Sequence, residues 1–292
     1  MSRQRGAALL LVIWWLLLLA GLVAAFAFTA RIEALQDSAL RHRVAGQLAA
    51  EAGVEVAVLK LGNADPNQRW LPDGRPYAFS YAGYELQVRV QDEAGKLDLN
   101  AAEAGLLTNL LVALGVDADR AQALAGAIQD WRDPDSLLAL GGGAEDRDYA
   151  AAGLPYGAKD QVFNTVSELR QVLGIDDATF RLLEPHVTVY TAAPRPQPAF
   201  AQVPVLVALG MAPPEAEAWV AARTAWQPGL PPPVGPQGST IAVAGSGTYS
   251  VASRAVRPDG LAVEVTGTLR MGDLAGFGQL YAPLAWRVGE PD

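Results

Sequence analysis

Six acids crowd the interval between residues 130 and 148: Asp130, Asp133, Asp135, Glu145, Asp146 and Asp148, against the two arginines Arg132 and Arg147. Pro134 and the run Gly141-Gly142-Gly143 block a continuous helix there, so loops are expected to carry the acids toward one another. Carboxylates held close repel unless a cation neutralises them. An oxygen-only set suits a hard ion, Ca2+ before Mg2+, because Ca2+ accepts about six to eight flexible ligands. The D-x-[DN]-x-[DN]-G frame of an EF-hand is missing. The same residues also fit a solvated acidic loop in which Arg132 and Arg147 make weak surface pairs.

Other chemistries find little support. The chain has no Cys, which removes disulfides, thiolate metal sites and Cys nucleophiles together. Its two histidines, His42 and His186, stand far apart and outside any metal-ligand spacing. Ser136 and Ser167 lie in no G-x-S-x-G elbow, and Gly141-Gly142-Gly143 lacks the Lys of a phosphate-binding loop. A glycosidase would need one acid and one base across a sugar bond, yet no pair stands out and no aromatic platform is evident beside the acids. The expectation is a non-enzyme. A formal net charge of −9 argues against a general nucleic-acid binder.

The elements that would position the acids begin with an apolar run. From Ala7 to Ala30 no charged residue occurs, and as a helix those residues would reach about 36 Å, enough to span a bilayer. Arg3 and Arg5 precede the run without an acid, which favours a cytoplasmic N-terminus and an exported remainder. Helical spacing continues through Leu40, Val44, Leu48, Ala52 and Val58 to a stop at Gly62-Asn63-Ala64-Asp65-Pro66. Tyr77 to Val90 alternates as a hairpin around Ala82-Gly83. Tyr249 to Val265 alternates again around Pro258-Asp259-Gly260, and a last strand is expected near Leu284 to Val288.

Between Leu97 and Trp226 the pattern turns helical and contains a repeat. Leu111-Val-Ala-Leu-Gly115 returns as Leu206-Val-Ala-Leu-Gly210, and nine identities fall in 21 aligned positions ending at Trp131 and Trp226. Each copy reads as a helix–hairpin–helix unit whose Gly ends the first helix. Such hairpins often bind DNA phosphates through backbone amides. Here the turns continue as Val116-Asp117-Ala118-Asp119 and Met211-Ala212-Pro213-Pro214, acidic or proline-blocked where phosphate would sit. A core-packing role with a protein-binding surface is therefore expected, and a membrane-anchored helix–hairpin–helix DNA-binding protein is the alternative.

The start of the chain, MSRQRG followed by AALLLVIWW, resembles the prepilin leader, which is cut after its Gly. By that resemblance prepilin peptidase would cut between Gly6 and Ala7 and methylate Ala7. The fifth mature residue is Leu11, where most of that superfamily carry Glu, and lacking the Glu is the habit of the K-type minor pseudopilins of type II secretion. The chain resembles that family along its length, through Asp92-Glu93-Ala94-Gly95-Lys96-Leu97-Asp98-Leu99-Asn100, Asp130-Trp131-Arg132-Asp133-Pro134-Asp135, Gly143-Ala144-Glu145-Asp146, Tyr149, Pro155-Tyr156 and Ser167-Glu168-Leu169. It departs at Thr191-Ala192-Ala193-Pro194-Arg195-Pro196, where the family usually has an N-x-N-T-A phrase.

The resemblance implies an α+β fold: a pilin-like long N-terminal helix and antiparallel sheet, with a large inserted all-α helix-hairpin-helix or SAM-like subdomain. The implied divisions are a leader at 1–6, a transmembrane helix at 7–30, helix continuation and first strands at 31–95, the insertion at 96–229 and closing strands at 230–292. It also implies calcium on Asp130, Asp133, Asp135, Glu145, Asp146 and Asp148, and a place in the bacterial inner membrane with a periplasmic head. The implied partners are the I-type and J-type minor pseudopilins, other pseudopilins, the inner-membrane secretion platform and prepilin peptidase. No catalysis and no nucleic acid are implied. The implied role is to initiate and cap the tip of the periplasmic pseudopilus.

Overall fold

A computed structural model describes residues 5–238, 240–241, 244–272 and 280–289. Met1 to Gln4 of the expected leader and the acidic C-terminal residues lie outside them.

Helix α1 (Arg5–Leu61) has 57 residues and no proline, and it is the one described helix long and apolar enough to cross a membrane. Its first half is bare: Leu9 to Phe28 pack on nothing among the described residues. Burial starts near Gly46 and takes in Ala49, Ala50, Val54, Ala57 and Val58 at helical spacing. The face carries glycine because the sheet comes close. A Cβ on Gly53 would lie 2.1 Å from Ser253 Oγ, so no larger residue fits without moving the strand. Helix α1 stops as expected, with Gly62 donating to Val58 and Asn63 Oδ1 accepting the Asp65 amide.

That face lies on a five-stranded antiparallel sheet of order β1 (Asp73–Tyr81), β2 (Tyr84–Asp92), β5 (Thr248–Val256), β6 (Ala262–Met271), β7 (Tyr281–Gly289). Alternation decides the buried side: Tyr84, Leu86, Val88 and Val90 of β2 point at α1, while Glu85, Gln87 and Arg89 are exposed. Tyr249, Val251, Val265 and Leu269 complete this first core.

Strands β2 and β5 are neighbours, with Asp92 opposite Tyr249, although a long helical excursion lies between them in sequence. The excursion carries a second core of its own, running from Leu97 to Trp219. It contains β3 (Leu97–Asp98) paired in parallel with β4 (Val187–Thr188), and helices α2 (Ala104–Ala113), α3 (Ala118–Arg132), α4 (Asp146–Ala151), α5 (Asp177–Leu183), α6 (Val203–Ala208) and α7 (Pro213–Ala225). The repeat seen in sequence is a repeat in space. Hairpins α2–α3 and α6–α7 turn at Gly115 (φ 88°) and Gly210 (φ 98°), and α2 packs on α6. Each turn closes identically: Val116 N donates to Leu111 O at 3.0 Å, and Met211 N to Leu206 O at 3.1 Å.

Two polar knots join the cores. Glu93, 1% exposed, accepts from Lys96 Nζ (2.5 Å), from Thr188 Oγ1 of β4 (2.5 Å) and from Ser250 Oγ of β5. Its neighbour Asp92, fully buried, accepts from Ala94 N and from both the amide and hydroxyl of Ser246. On the other flank Arg75, paired to Asp73, donates to the carbonyls of Arg223 and Trp226 at the end of α7. The conspicuous phrase from Asp92 to Asn100 is therefore the joint between body and excursion.

Candidate metal centre

Helix α3 runs further than the sequence suggested. It includes Asp130 and ends at Arg132, so Asp130 sits on a helix rather than on a loop, as do Asp146 and Asp148 on α4. The run is helical because Pro134 lies beyond it, and Asp133 closes it as the capping residue.

Asp130 is fully buried and fully engaged. Its two oxygens accept the amides of Ala139 (2.9 Å) and Ala144 (2.8 Å), pinning both sides of the loop that follows α3. Burial pushes its pKa up, and the two amides work against that shift. The loop approaches so closely that a Cβ on Gly126 would meet Gly142 O at 1.6 Å. Arg132 does not pair with an acid at the surface. It reaches back to the carbonyls of Leu99 and Ala102, and burial lowers its pKa. Arg147 does make the expected exposed pair, with Asp148 at 3.8 Å.

The loop so held brings Asp133, Asp135 and Glu145 together, with one oxygen from each within 4.8 Å of the others. Asp148 is occupied otherwise: its Oδ2 accepts the Glu145 amide at the start of α4. Asp146 turns to another loop, where a Cβ on Gly157 would lie 1.8 Å from its Oδ1. Sequence reasoning missed Asp160, whose charge bears on both Asp133 and Glu145. It lies beyond the acidic run, in the left-handed region at φ 54°, where a non-glycine residue is strained. Its loop is held by Lys159, bonded to Val162 O and Glu168, and by Asn100, which exchanges two hydrogen bonds with Phe163.

The electrostatics of the triplet are those of an uncompensated site. Glu145 is 7% exposed, and its Oε1 is buried without a hydrogen-bond partner, as is Asp133 Oδ1. Burial first, then the charges of Asp130, Asp133, Asp160 and Asp135, push the Glu145 pKa from 4.5 to about 7. Burial and Asp135 also raise that of Asp133. Buried carboxylate oxygens without partners are costly, and converging ones are what a hard cation satisfies. Beneath them lie Trp131, Tyr149 and Phe163, ring centroids about 6 Å apart and each nearly or fully buried, so they support the loop and offer no face to a sugar.

The hairpin turns present no comparable site. Asp117 accepts the amides of Asp119 and Arg120 on its own side chain, so that helix start is already capped by a carboxylate. The second turn enters α7 with Pro213 and Pro214, which have no N–H to offer.

The family model for type II secretion system protein K matches residues 86–192. That match takes in a little over a third of the chain. The matched stretch begins on β2, contains the joint at Asp92 to Asn100 and the acids of the candidate metal centre, Asp160 included, and ends in the Thr191-Ala192 turn. That turn departs from the usual family phrase, yet Asp98 Oδ2 still holds it through the amides of Thr191 and Ala192 and the Thr191 hydroxyl. Proteins named type II secretion system protein K from Pectobacterium carotovorum and Pseudomonas aeruginosa are each 32% identical, over 141 and 154 residues, which is 43% and 49% of this chain and 42% and 45% of theirs. The Klebsiella pneumoniae protein of the same name is 33% identical over 133 residues, 41% of this chain and 40% of its own. The chain spans about half the length of the curated relatives it matches. A chain in the crystal structure of the GspK-GspI-GspJ complex of enterotoxigenic Escherichia coli superposes with a TM-score of 0.61 at 19% identity, covering 88% of this chain and 100% of that one. The superposition shows that the α+β fold is shared.

Proposed function

We propose that this chain is a non-enzymatic minor pseudopilin that initiates and caps the pseudopilus tip of a type II secretion system. It is anchored once in the inner membrane by the first half of α1, with its head in the periplasm. The observation that carries this reading is the placement of the helical excursion between adjacent strands β2 and β5. A second core of that size, fastened to the body by the Glu93 and Arg75 knots, supports a head that would overhang its own helix. A further subunit could not stack above it. The bare apolar half of α1 would associate with other pseudopilin helices in the membrane, and the head would bind the I-type and J-type minor pseudopilins.

Within the head, Asp133, Asp135 and Glu145 would hold Ca2+, with Asp160 as a further nearby carboxylate. The two orphaned oxygens support this assignment, and water or backbone carbonyls would supply the remaining ligands. The ion would be structural, offsetting the repulsion that otherwise opposes closure of the loop after α3.

The test is a mass measurement on the protein purified from membranes of its native host. A mature chain beginning at N-methylated Ala7, recovered in one complex with I-type and J-type pseudopilins, is the expected result, and Gly6→Val should leave the leader attached. An intact Met1, or a cut near Ala30, would overturn the reading.

A further inference from the structure

Beside the acidic triplet the loop carries three leucines outward. Leu140 is 100% exposed, Leu137 74% and Leu138 45%, on a chain segment whose backbone is fixed rather than loose. Asp135 accepts the Leu137 amide, Asp130 accepts those of Ala139 and Ala144, and Gly142 is wedged against Gly126. Exposing that much apolar surface on a braced tip is unfavourable in water, and no other described part of the chain covers it. The tip is bordered by Asp133 and Asp135, with Glu145 and Asp160 close behind, a negative surface that a bound divalent ion would neutralise only in part.

We propose that Leu137, Leu138 and Leu140 form a docking knob that enters an apolar slot rimmed by Lys or Arg on a protein partner. Charge complementarity selects this occupant. A bilayer presents anionic headgroups, which the acidic border repels, and α1 carries the body away from its own membrane, since burial begins near Gly46, about 24 Å of helix beyond Ala30. A second copy of this chain would set one acidic border against another.

The test places the photoreactive residue p-benzoylphenylalanine at position 140 of the full chain in membranes of its native host, with the same residue at exposed position 217 on α7 as control. Irradiation should give one protein adduct from position 140, absent from position 217, whose crosslinked peptide holds apolar residues flanked by Lys or Arg. Its yield should fall about tenfold or more in a Leu137→Asp background, the factor expected for losing one buried leucine, and should also fall as salt rises. No adduct above the control, an adduct to lipid or to a second copy, or a crosslinked peptide without basic residues would overturn the proposal. The exposure of both side chains means that the unfolding midpoint should not change, which separates lost docking from lost folding.

Discussion

Glu145 offers the sharpest test of the metal centre because its carboxyl is both buried and repelled. Below pH about 4.5 it is neutral in the folded and the unfolded chain and carries no penalty. As pH rises from 4.5 to about 7 the unfolded chain releases the proton while the folded chain retains it, so folded stability falls across that window and levels off above it. The full shift corresponds to up to about 3 kcal/mol. For a domain of this size that is roughly 6–12 °C in Tm. Purified full-length protein in detergent with a chelator should therefore lose Tm between pH 5 and 7, and Glu145→Gln should remove most of that loss. Calcium reverses the order. At about a hundred times its Kd, Ca2+ should return about 2.7 kcal/mol to the wild type at pH 7.5. Glu145→Gln, lacking one anionic ligand, should gain little. Thermal melts followed by tryptophan fluorescence, with and without calcium, read both effects. A wild type indifferent to calcium and to pH between 5 and 7, or a Gln variant stabilised as much as the wild type, would refute the reasoning.

Two further perturbations separate positioning from ligation. Replacing Asp160 by Gly relieves a left-handed backbone at φ 54° and removes one negative neighbour, so the chelated protein should gain about 1 kcal/mol while calcium affinity, measured by titration calorimetry, falls. Glu93→Ala leaves the Lys96 ammonium, 11% exposed, without its partner and breaks the link to Thr188 and Ser250. The expected loss is about 3–5 kcal/mol in urea unfolding, with Glu93→Gln intermediate, and a loss under 1 kcal/mol would show that the knot contributes little.

Features set by local physics were legible in the sequence. The apolar run, the alternating strands and the Leu-Gly breaks of the two hairpins depend on neighbours a few residues away, and α1, β1, β2, β5, β6 and β7 follow them closely. The roles of individual acids were not legible, because they depend on partners far along the chain. Asp130 looks like a ligand by composition but spends both oxygens on amides 9 and 14 residues ahead. Asp160 stands outside the acidic run and joins it only because Asn100 fixes the Phe163 segment 63 residues away. One signal was available: a lone Asp within the turn-rich stretch after Pro155, in a chain whose other acids in this region already suggested a cation.

The same strand-and-turn phrase that fastens the excursion to the body also positions the acids of the candidate metal centre. Glu93 and Lys96 face β5 and β4, Asp98 holds the Thr191 turn, and Asn100 holds the loop that carries Asp160. Arg132, at the end of α3 and one residue before Asp133, bonds the carbonyls of Leu99 and Ala102 in that same phrase. Loop and joint are thus set from one rigid segment, and a cation drawing Asp133 and Asp160 together would tighten two structures that both hang from it. The knots at Glu93 and Arg75 contain no member of the triplet, so removing the ion should loosen the loop after α3 before it loosens the joint. The head should then stay fastened to its helix when the ion is withdrawn.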